Sequence, residues 1–370
     1  MSREDQSIQR MLVVLPSWVG DVVMATPTLR ALRTRYPDAH ISYLVKSTIK
    51  PIIEGSPWYD RLIAIRPRKT KSAAAAKTKG RRSFFNLAGR IRKRDFDTAV
   101  LLPNSFRTAL MAKTAKIPRR VGYDRDGRGF LLTDRLLPMR EPGRYIPTPT
   151  LQYYLQLARY LDAPNDNEVM ELHSKPEQHD AARSLLTKAG IDPDGGDQPV
   201  VLLNPGANYG AAKMWYPDRF AAVADKLIEQ HNAKILVSGA PKERQILDAV
   251  HEAGNGQFID LPSLGCDLGM LKSILRRCDL VLTNDTGPRH IAAAVNTPLI
   301  TIFGPTDPRW SEINFESERK VIEDVFCGPC QKKACPLDHR CMTSIHATAV
   351  LEHANELLIN DSAKVETTQQ

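Results

Sequence analysis

The chain has 370 residues, 42% hydrophobic and 25% charged, an ordinary globular composition that excludes a disordered or fibrous protein and suits two domains of roughly 150–180 residues. No apolar run of about 18 residues reads as a membrane span, and the polar start Met1-Ser2-Arg3-Glu4-Asp5-Gln6 lacks the apolar core of a signal peptide, so a cytoplasmic protein is expected. The net charge of +9 is uneven: twelve Lys or Arg and no acid fall within residues 66–94, and the remainder is slightly acidic.

In chain order, residues 11–15 read as a buried strand. They run through Pro16-Ser17-Trp18-Val19-Gly20-Asp21 into a helix carrying Leu29, Leu32 and Tyr36. Residues 40–45, 62–65 and 98–102 read as further strands. The basic segment lies between the last two. Its end, with Phe84, Leu87, Ala88 and Ile91 at helical spacing, reads as an amphipathic helix with a cationic face. Such a segment attracts nucleic acid, an anionic membrane or a phosphorylated substrate. The plainer reading is a solvated loop kept flexible by Ala73-Ala74-Ala75-Ala76 and Gly80. Pro-rich or polar sequence at residues 141–149 and 163–167 interrupts the alternation, which then resumes. Strands are expected at 199–203, 234–238, 280–283 and 299–303, with a helix from Pro217 or Asp218 to Ile228. Residues 350–358 form a last amphipathic helix, and the tail after Asn360 reads as disordered.

Alternating strands and helices in two halves predict an α/β fold of two Rossmann-like domains with parallel sheets and an active site in the cleft between them. Among the six cysteines, Cys266 and Cys278 sit in ordinary helical sequence and read as small apolar residues. The others form Cys327-x2-Cys330-x4-Cys335-x5-Cys341. That spacing suits a structural zinc, against the alternative of reduced, buried thiols.

Three loops follow strands and enter helices, where open α/β sheets bind ligands. In Ser17-Trp18-Val19-Gly20-Asp21, Gly20 lets the backbone turn tightly. Asp21 is either a plain N-cap or an ionised carboxylate able to accept a proton from a sugar hydroxyl. The loop from Asn204 to Pro217 offers two glycines, small residues and Lys213, which suits a diphosphate. It is not a Walker A loop, since Lys213 does not follow a glycine and no Ser or Thr comes after it. In Thr283-Asn284-Asp285-Thr286-Gly287-Pro288-Arg289-His290, free amides, the Thr286 hydroxyl and the positive helix end make an anion site. Asp285 there would repel a diphosphate unless it caps the helix, receives a hydrogen bond or shares a cation. His290 is either a phosphate donor or structural.

The motifs Ser17-Trp18-Val19-Gly20-Asp21, Pro205-Gly206-Ala207-x-x-Gly210-x-Ala212-Lys213-x-Trp215 and Asn284-Asp285-Thr286-Gly287-Pro288-x-His290-x-Ala292-Ala293-Ala294, in this order, resemble glycosyltransferase family 9, the ADP-heptose:lipopolysaccharide heptosyltransferases. Pro103 to Leu110, Arg119 to Tyr123 and the cysteine cluster are most similar to the heptosyltransferase II branch. The resemblance implies a GT-B fold, with an N-terminal acceptor-binding domain (1–170, basic insertion 66–94), a C-terminal nucleotide-sugar domain (171–345), a helix at 346–360 and a tail at 361–370.

It further implies inverting transfer of heptose from ADP-L-glycero-D-manno-heptose to the inner core of lipopolysaccharide. Asp21 would take the acceptor proton and Lys213 would neutralise the departing diphosphate. Asn208, Glu243 (as a ribose ligand), Asp285, Thr286, Gly287 and His290 would bind the donor; Ser17, Gly20, Asn104, Arg107 and Arg120 would bind the acceptor. The expected acceptor is a phosphorylated glycolipid of the Kdo-lipid A type at the anionic inner face of the inner membrane, with no nucleic acid partner. No cofactor is required by this reading, and a divalent cation at the nucleotide site stays open. Three features depart from the pattern: Tyr216 intervenes before Pro217, Pro288-Arg289 adds positive charge beside the nucleotide site, and the Ala/Lys/Arg stretch at 66–94 is longer and more basic than the family's. The competing functions are a non-catalytic polyanion- or membrane-binding protein on the same fold, and a sugar-nucleotide epimerase.

Overall fold

The computed structural model describes residues 8–65, 73–164 and 167–368. It divides into two compact units, Met1–Val169 and Met170–Gln370. Arg66, Arg68, Lys69 and Lys71 of the basic run, and part of the interruption at 163–167, lie outside the described residues.

The first unit runs β1 (Arg10–Val14), α1 (Val19–Met24), α2 (Thr26–Arg35), β2 (His40–Lys46), α3 (Lys50–Ile53), β3 (Arg61–Ile65), α4 (Ala73–Arg92), β4 (Thr98–Leu101), α5 (Phe106–Thr114), β5 (Arg119–Tyr123) and β6 (Asp134–Leu136). A two-stranded ribbon, β7 (Arg140–Glu141) and β8 (Arg144–Tyr145), then leads to α6 (Thr150–Tyr160). The strands β1 to β6 form one parallel sheet in the order β3-β2-β1-β4-β5-β6. Helices cover a parallel sheet on both faces, so its central strands are apolar throughout. Met11, Leu12, Val13 and Val14 are all buried. Beside them, Phe84, Ala88 and Ile91 of α4 pack with Leu12, Val14, Leu101 and Ala109. The alanine-rich stretch read as a flexible spacer is instead the start of α4, in keeping with alanine's high helix propensity.

The second unit repeats the plan with α7 (Pro176–Lys188), β9 (Val200–Asn204), α8 (Pro217–His231), β10 (Lys234–Val237), α9 (Arg244–Ala253), β11 (Phe258–Asp260), α10 (Leu268–Arg277), β12 (Leu280–Asn284), α11 (Gly287–Ala294), β13 (Leu299–Phe303), β14 (Glu318–Ile322), α12 (Arg340–Thr343) and α13 (Ala347–Thr368). Its parallel sheet has the order β11-β10-β9-β12-β13-β14. Local chemistry fixes the helix ends. Pro217 opens α8, Asn232 closes it in the left-handed conformation (φ 52°), and the Asp267 carboxylate caps α10 by accepting from the Gly269 and Met270 amides at 2.8 and 2.9 Å. Every residue of β9, β12 and β13 is buried. The helix expected at 346–360 extends to Thr368, into the stretch expected to be a tail. Cys278 is buried as expected, but Cys266 is only half-buried, in the turn before α10.

Both sheets have the doubly wound order in which the chain reverses direction beside its first strand. The crevices at the carboxyl ends of β1/β4 and of β9/β12 are therefore the sites where such sheets take ligands.

Candidate active site

At the first switch point, β1 leads to Ser17, Gly20 and Asp21, and β4 leads to Asn104 and Arg107. The cap residue of α1 is Trp18, and Asp21 lies in the helix's first turn. Asp21 is thus not the plain N-cap that the sequence allowed. It is half-buried, Ser17 is exposed and Gly20 is buried. Its charge, with burial as the larger cause, helps to push the Tyr154 phenol of α6 well above its usual value. Asn104 accepts from the Tyr153 hydroxyl at 3.0 Å and from the Arg128 guanidinium at 3.4 Å. Tyr153 stacks on Tyr123 with ring centroids 3.7 Å apart. Arg128 is fully buried and also donates to the carbonyls of Tyr123 and Pro103. Burial pulls its guanidinium down to about 10. Arg107 is exposed and lies 5.1 Å from the Phe84 ring centre.

Arg120 is not brought to this crevice. It sits at the amino end of β5, and its guanidinium is committed to the carbonyls of Ile117, Pro118 and Leu131 at 2.5, 3.0 and 2.8 Å. Its place among the acceptor candidates came from the family resemblance, which carries no information on strand direction.

The second switch point gathers most of the donor candidates. Asn284, fully buried, accepts from the Trp215 amide at 3.0 Å and donates to the Pro205 carbonyl at 2.8 Å, which ties the loop after β9 to the end of β12. Trp215 is itself buried and donates its indole N–H to the Ile345 carbonyl at 3.1 Å. Between these anchors Lys213 reaches Asp285: Nζ lies 2.5 Å from Oδ2 and 2.9 Å from the Asp285 carbonyl. Oδ2 also accepts from the Thr306 hydroxyl at 3.0 Å, and Oδ1 faces an Arg289 nitrogen at 3.4 Å. Of the options open at Asp285, sharing cations and accepting a hydrogen bond both apply. Burial alone would raise this carboxyl, but Lys213 and Arg289 overcome it and hold Asp285 well below the usual carboxylate range.

Thr286 is the cap residue of α11, and no side chain caps the helix start. Its hydroxyl is instead 3.3 Å from Asn204 Nδ2. The first-turn amides, beginning at Gly287, and the positive helix end therefore form a place for an anion. His290 is buried with Nδ1 unpartnered. Burial first, then the nearby charges of Arg289 and Lys213, push its imidazole down to about 3, so it is neutral near pH 7.

Glu243 packs against the same loop. A Cβ placed on Gly206 would lie 2.5 Å from its Cδ, so only glycine admits this approach. Its Oε2 accepts from the Ala240 amide at 2.8 Å. Asn208 is exposed and accepts from Lys242.

The cysteine segment lies in α12 and the loop before it. Among the described residues, no three or more His, Cys, Asp or Glu are grouped to hold a metal ion. Cys341 is buried in α12, whereas Cys327, Cys330 and Cys335 are half-exposed in the preceding loop. That loop braces the loop after β9. The Lys333 carbonyl accepts from the Ala212 amide at 3.0 Å, the Tyr209 hydroxyl donates to the Gln331 carbonyl at 2.7 Å, and His339 Nε2 lies 2.8 Å from the Ala212 carbonyl. Lys213 and Lys333 lie 5.2 and 5.6 Å from the centre of the Tyr209 ring. Glu318 and Lys333 stand in no motif, and only the fold brings them near this site; Tyr209 and Thr306 lie in loops the sequence marks, but without an assigned role.

Two doubly wound units of matching strand order, each with polar groups at its switch point, make the architecture of a GT-B glycosyltransferase. The profile of glycosyltransferase family 9 (heptosyltransferase) matches residues 84–340. Lipooligosaccharide heptosyltransferase 2 of Haemophilus influenzae is 30% identical over 94% of this chain and 99% of its own. Lipopolysaccharide heptosyltransferase 2 of Escherichia coli is 27% identical over 96% of this chain and 100% of its own. The solved structure of the E. coli ADP-heptose LPS heptosyltransferase II shares the fold, with a TM-score of 0.75 at 24% identity, covering 96% of this chain and 100% of that one. The chain belongs to glycosyltransferase family 9 and is a glycosyltransferase. Family membership favours this reading over the polyanion-binding and epimerase alternatives.

Proposed function

We propose that the protein transfers heptose, with inversion, from ADP-L-glycero-D-manno-heptose to the inner core of lipopolysaccharide. The observation that carries this is Lys213 held beside the uncapped start of α11 at the β9/β12 switch point, with relatives that are heptosyltransferases in support. Asp21 accepts the proton of the acceptor hydroxyl as that oxygen attacks the anomeric carbon. The bond from that carbon to the β-phosphate oxygen breaks, and ADP leaves with the electron pair. Lys213 and the α11 amides, at Gly287 and beyond, offset the charge that develops on it. Glu243 meets the donor's ribose, and Asn208 contributes to donor binding. The charge balance rests on these groups, and no metal is written into it.

The acceptor in this reading is a phosphorylated glycolipid of the Kdo-lipid A type, met at an anionic bilayer. No described helix is long and apolar enough to cross a membrane. A docking face is at hand in the first unit. Phe85, Phe106 and Phe130 are exposed, the Phe106 and Phe130 rings lie 5.9 Å apart, Lys113 is 5.9 Å from the Phe130 ring centre, and Arg107 lies on Phe84. Aromatic side chains flanked by cations suit an anionic lipid interface.

Thermal denaturation with ADP, UDP, GDP and their sugars tests the donor. ADP and ADP-heptose are expected to raise the midpoint and the other bases to leave it unchanged. An equal shift from UDP or GDP, or none from ADP-heptose, overturns the assignment.

A further inference from the structure

Asp285 has two cationic partners of opposite character. Lys213 approaches Oδ2 on a flexible stem, with its ammonium as a compact point charge. Arg289 cannot move in the same way. Its side chain is fully buried, 4.9 Å from the centre of the Phe303 ring, and every face of its guanidinium is engaged. Nε and one terminal nitrogen donate to the two oxygens of Glu318 at 2.6 and 3.0 Å. The other terminal nitrogen donates to the Ser311 carbonyl at 2.8 Å and its hydroxyl at 3.0 Å, and faces Asp285 Oδ1 at 3.4 Å. Glu318, the first residue of β14, is fixed in turn by the Thr301 hydroxyl of β13 at 2.6 Å. Behind it, Lys320 pairs with Glu312 at 2.5 Å.

We propose that Arg289, clamped by Glu318, is the resident counter-ion of Asp285, which allows Lys213 to turn from that carboxylate to the departing diphosphate. Arg289 and Glu318 are then positioning residues for Lys213. The inference rests on the reading that Lys213 meets the diphosphate. Without Arg289, a buried Asp285 would have Lys213 as its sole close cation, and releasing Lys213 would leave that carboxylate unpaired in a dry site. The lysine would stay where it is. With Arg289 in place, Oδ1 keeps its cation while Oδ2 gives one up. Glu318 keeps Arg289 from following Lys213 towards the ligand, since its bidentate grip is the stronger contact.

The test is ADP affinity, measured by calorimetry on the full chain in two backgrounds. Arg289→Met is combined with Glu318→Gln, so that no unpaired charge is buried and the hydrogen bond from Thr301 survives. This pair is expected to weaken ADP binding about tenfold in the native background and to have no further effect beside Lys213→Ala. Adding Asp285→Asn to the pair is expected to restore most of the loss, because the competing carboxylate is then gone. A merely structural role predicts additive losses in both backgrounds and no rescue, and that result overturns the proposal, as does native affinity in the pair. Arg289→Lys, which keeps a charge but loses the fork, serves if the pair does not fold; it is expected to weaken ADP binding by a smaller factor, and unchanged affinity counts against the proposal. If Lys213→Ala alone binds ADP like the parent chain, the underlying assignment of Lys213 is what has failed.

Discussion

Lys213 Nζ lies 2.5 Å from Asp285 Oδ2, a contact between residues 72 apart in the chain that joins the loop after β9 to the loop before α11. Both partners are largely buried, with side-chain exposures of 12% and 7%. A lysine so placed is already desolvated before any ligand arrives, so it pays less to meet a phosphate than a lysine in water would. The same contact keeps the two loops together in the absence of a donor.

Asp21→Asn is expected to lower the transfer rate by a factor of about 10²–10⁴, the usual contribution of a general base, while ADP affinity is unchanged. Turnover with a soluble acceptor and ADP binding on the same preparation check it. Parent-like turnover removes Asp21 from the reaction.

His290 makes stability depend on pH. Its imidazole is depressed to about 3 in the folded chain against 6.5 as the ordinary value. The unfolded chain therefore takes up the proton first as pH falls. The contribution is complete above about 6.5 and declines as the pH drops towards 3, by up to about 1.4 kcal/mol for each unit. Between pH 7 and 5 that amounts to about 2 kcal/mol in urea unfolding. His290→Gln should flatten this decline, and an equally steep one would show that His290 is not its source.

Gly210→Ala tests the brace from the cysteine segment. A Cβ there would lie 2.4 Å from the Lys333 carbonyl oxygen, which is backbone and cannot swing aside. The loop must shift, at a cost of about 1–3 kcal/mol, and Lys213 shifts with it. The expected result is a lower melting temperature together with weaker ADP binding. Loss of stability with native ADP affinity would separate the brace from the donor site.

Much of this was legible in the sequence, and the missing parts share a physical cause. The central strands β1, β9, β12 and β13 are apolar runs because both faces of a parallel sheet are covered. The edge strands β11 and β14 escaped notice, since Phe258-Ile259-Asp260 is short and Glu318-Arg319-Lys320-Val321-Ile322 is mostly charged. Missing β14 meant missing Glu318, and without Glu318 the extra charge of Arg289 had no partner. Asp21, Lys213 and Asp285 stand out in the sequence because a glycine or a helix start marks each loop.

Phe106→Ser with Phe130→Ser tests the lipid face. The double variant is expected to lose most co-sedimentation with vesicles containing phosphatidylglycerol and to keep its rate on a soluble acceptor. Neutral phosphatidylcholine vesicles should bind neither protein well, and added salt should weaken the parent's binding. Undiminished sedimentation of the double variant would place the contact elsewhere.

The separate apolar clusters of the two units, one around Leu12, Phe84 and Leu101 and the other around Val201, Trp215 and Leu282, bear on how heat dismantles the molecule. Scanning calorimetry should resolve two endotherms, and adenine nucleotide should displace only the one belonging to residues 170–370. A lesion in either cluster would then be survived by the other half, and the molecule would come apart in two steps rather than one.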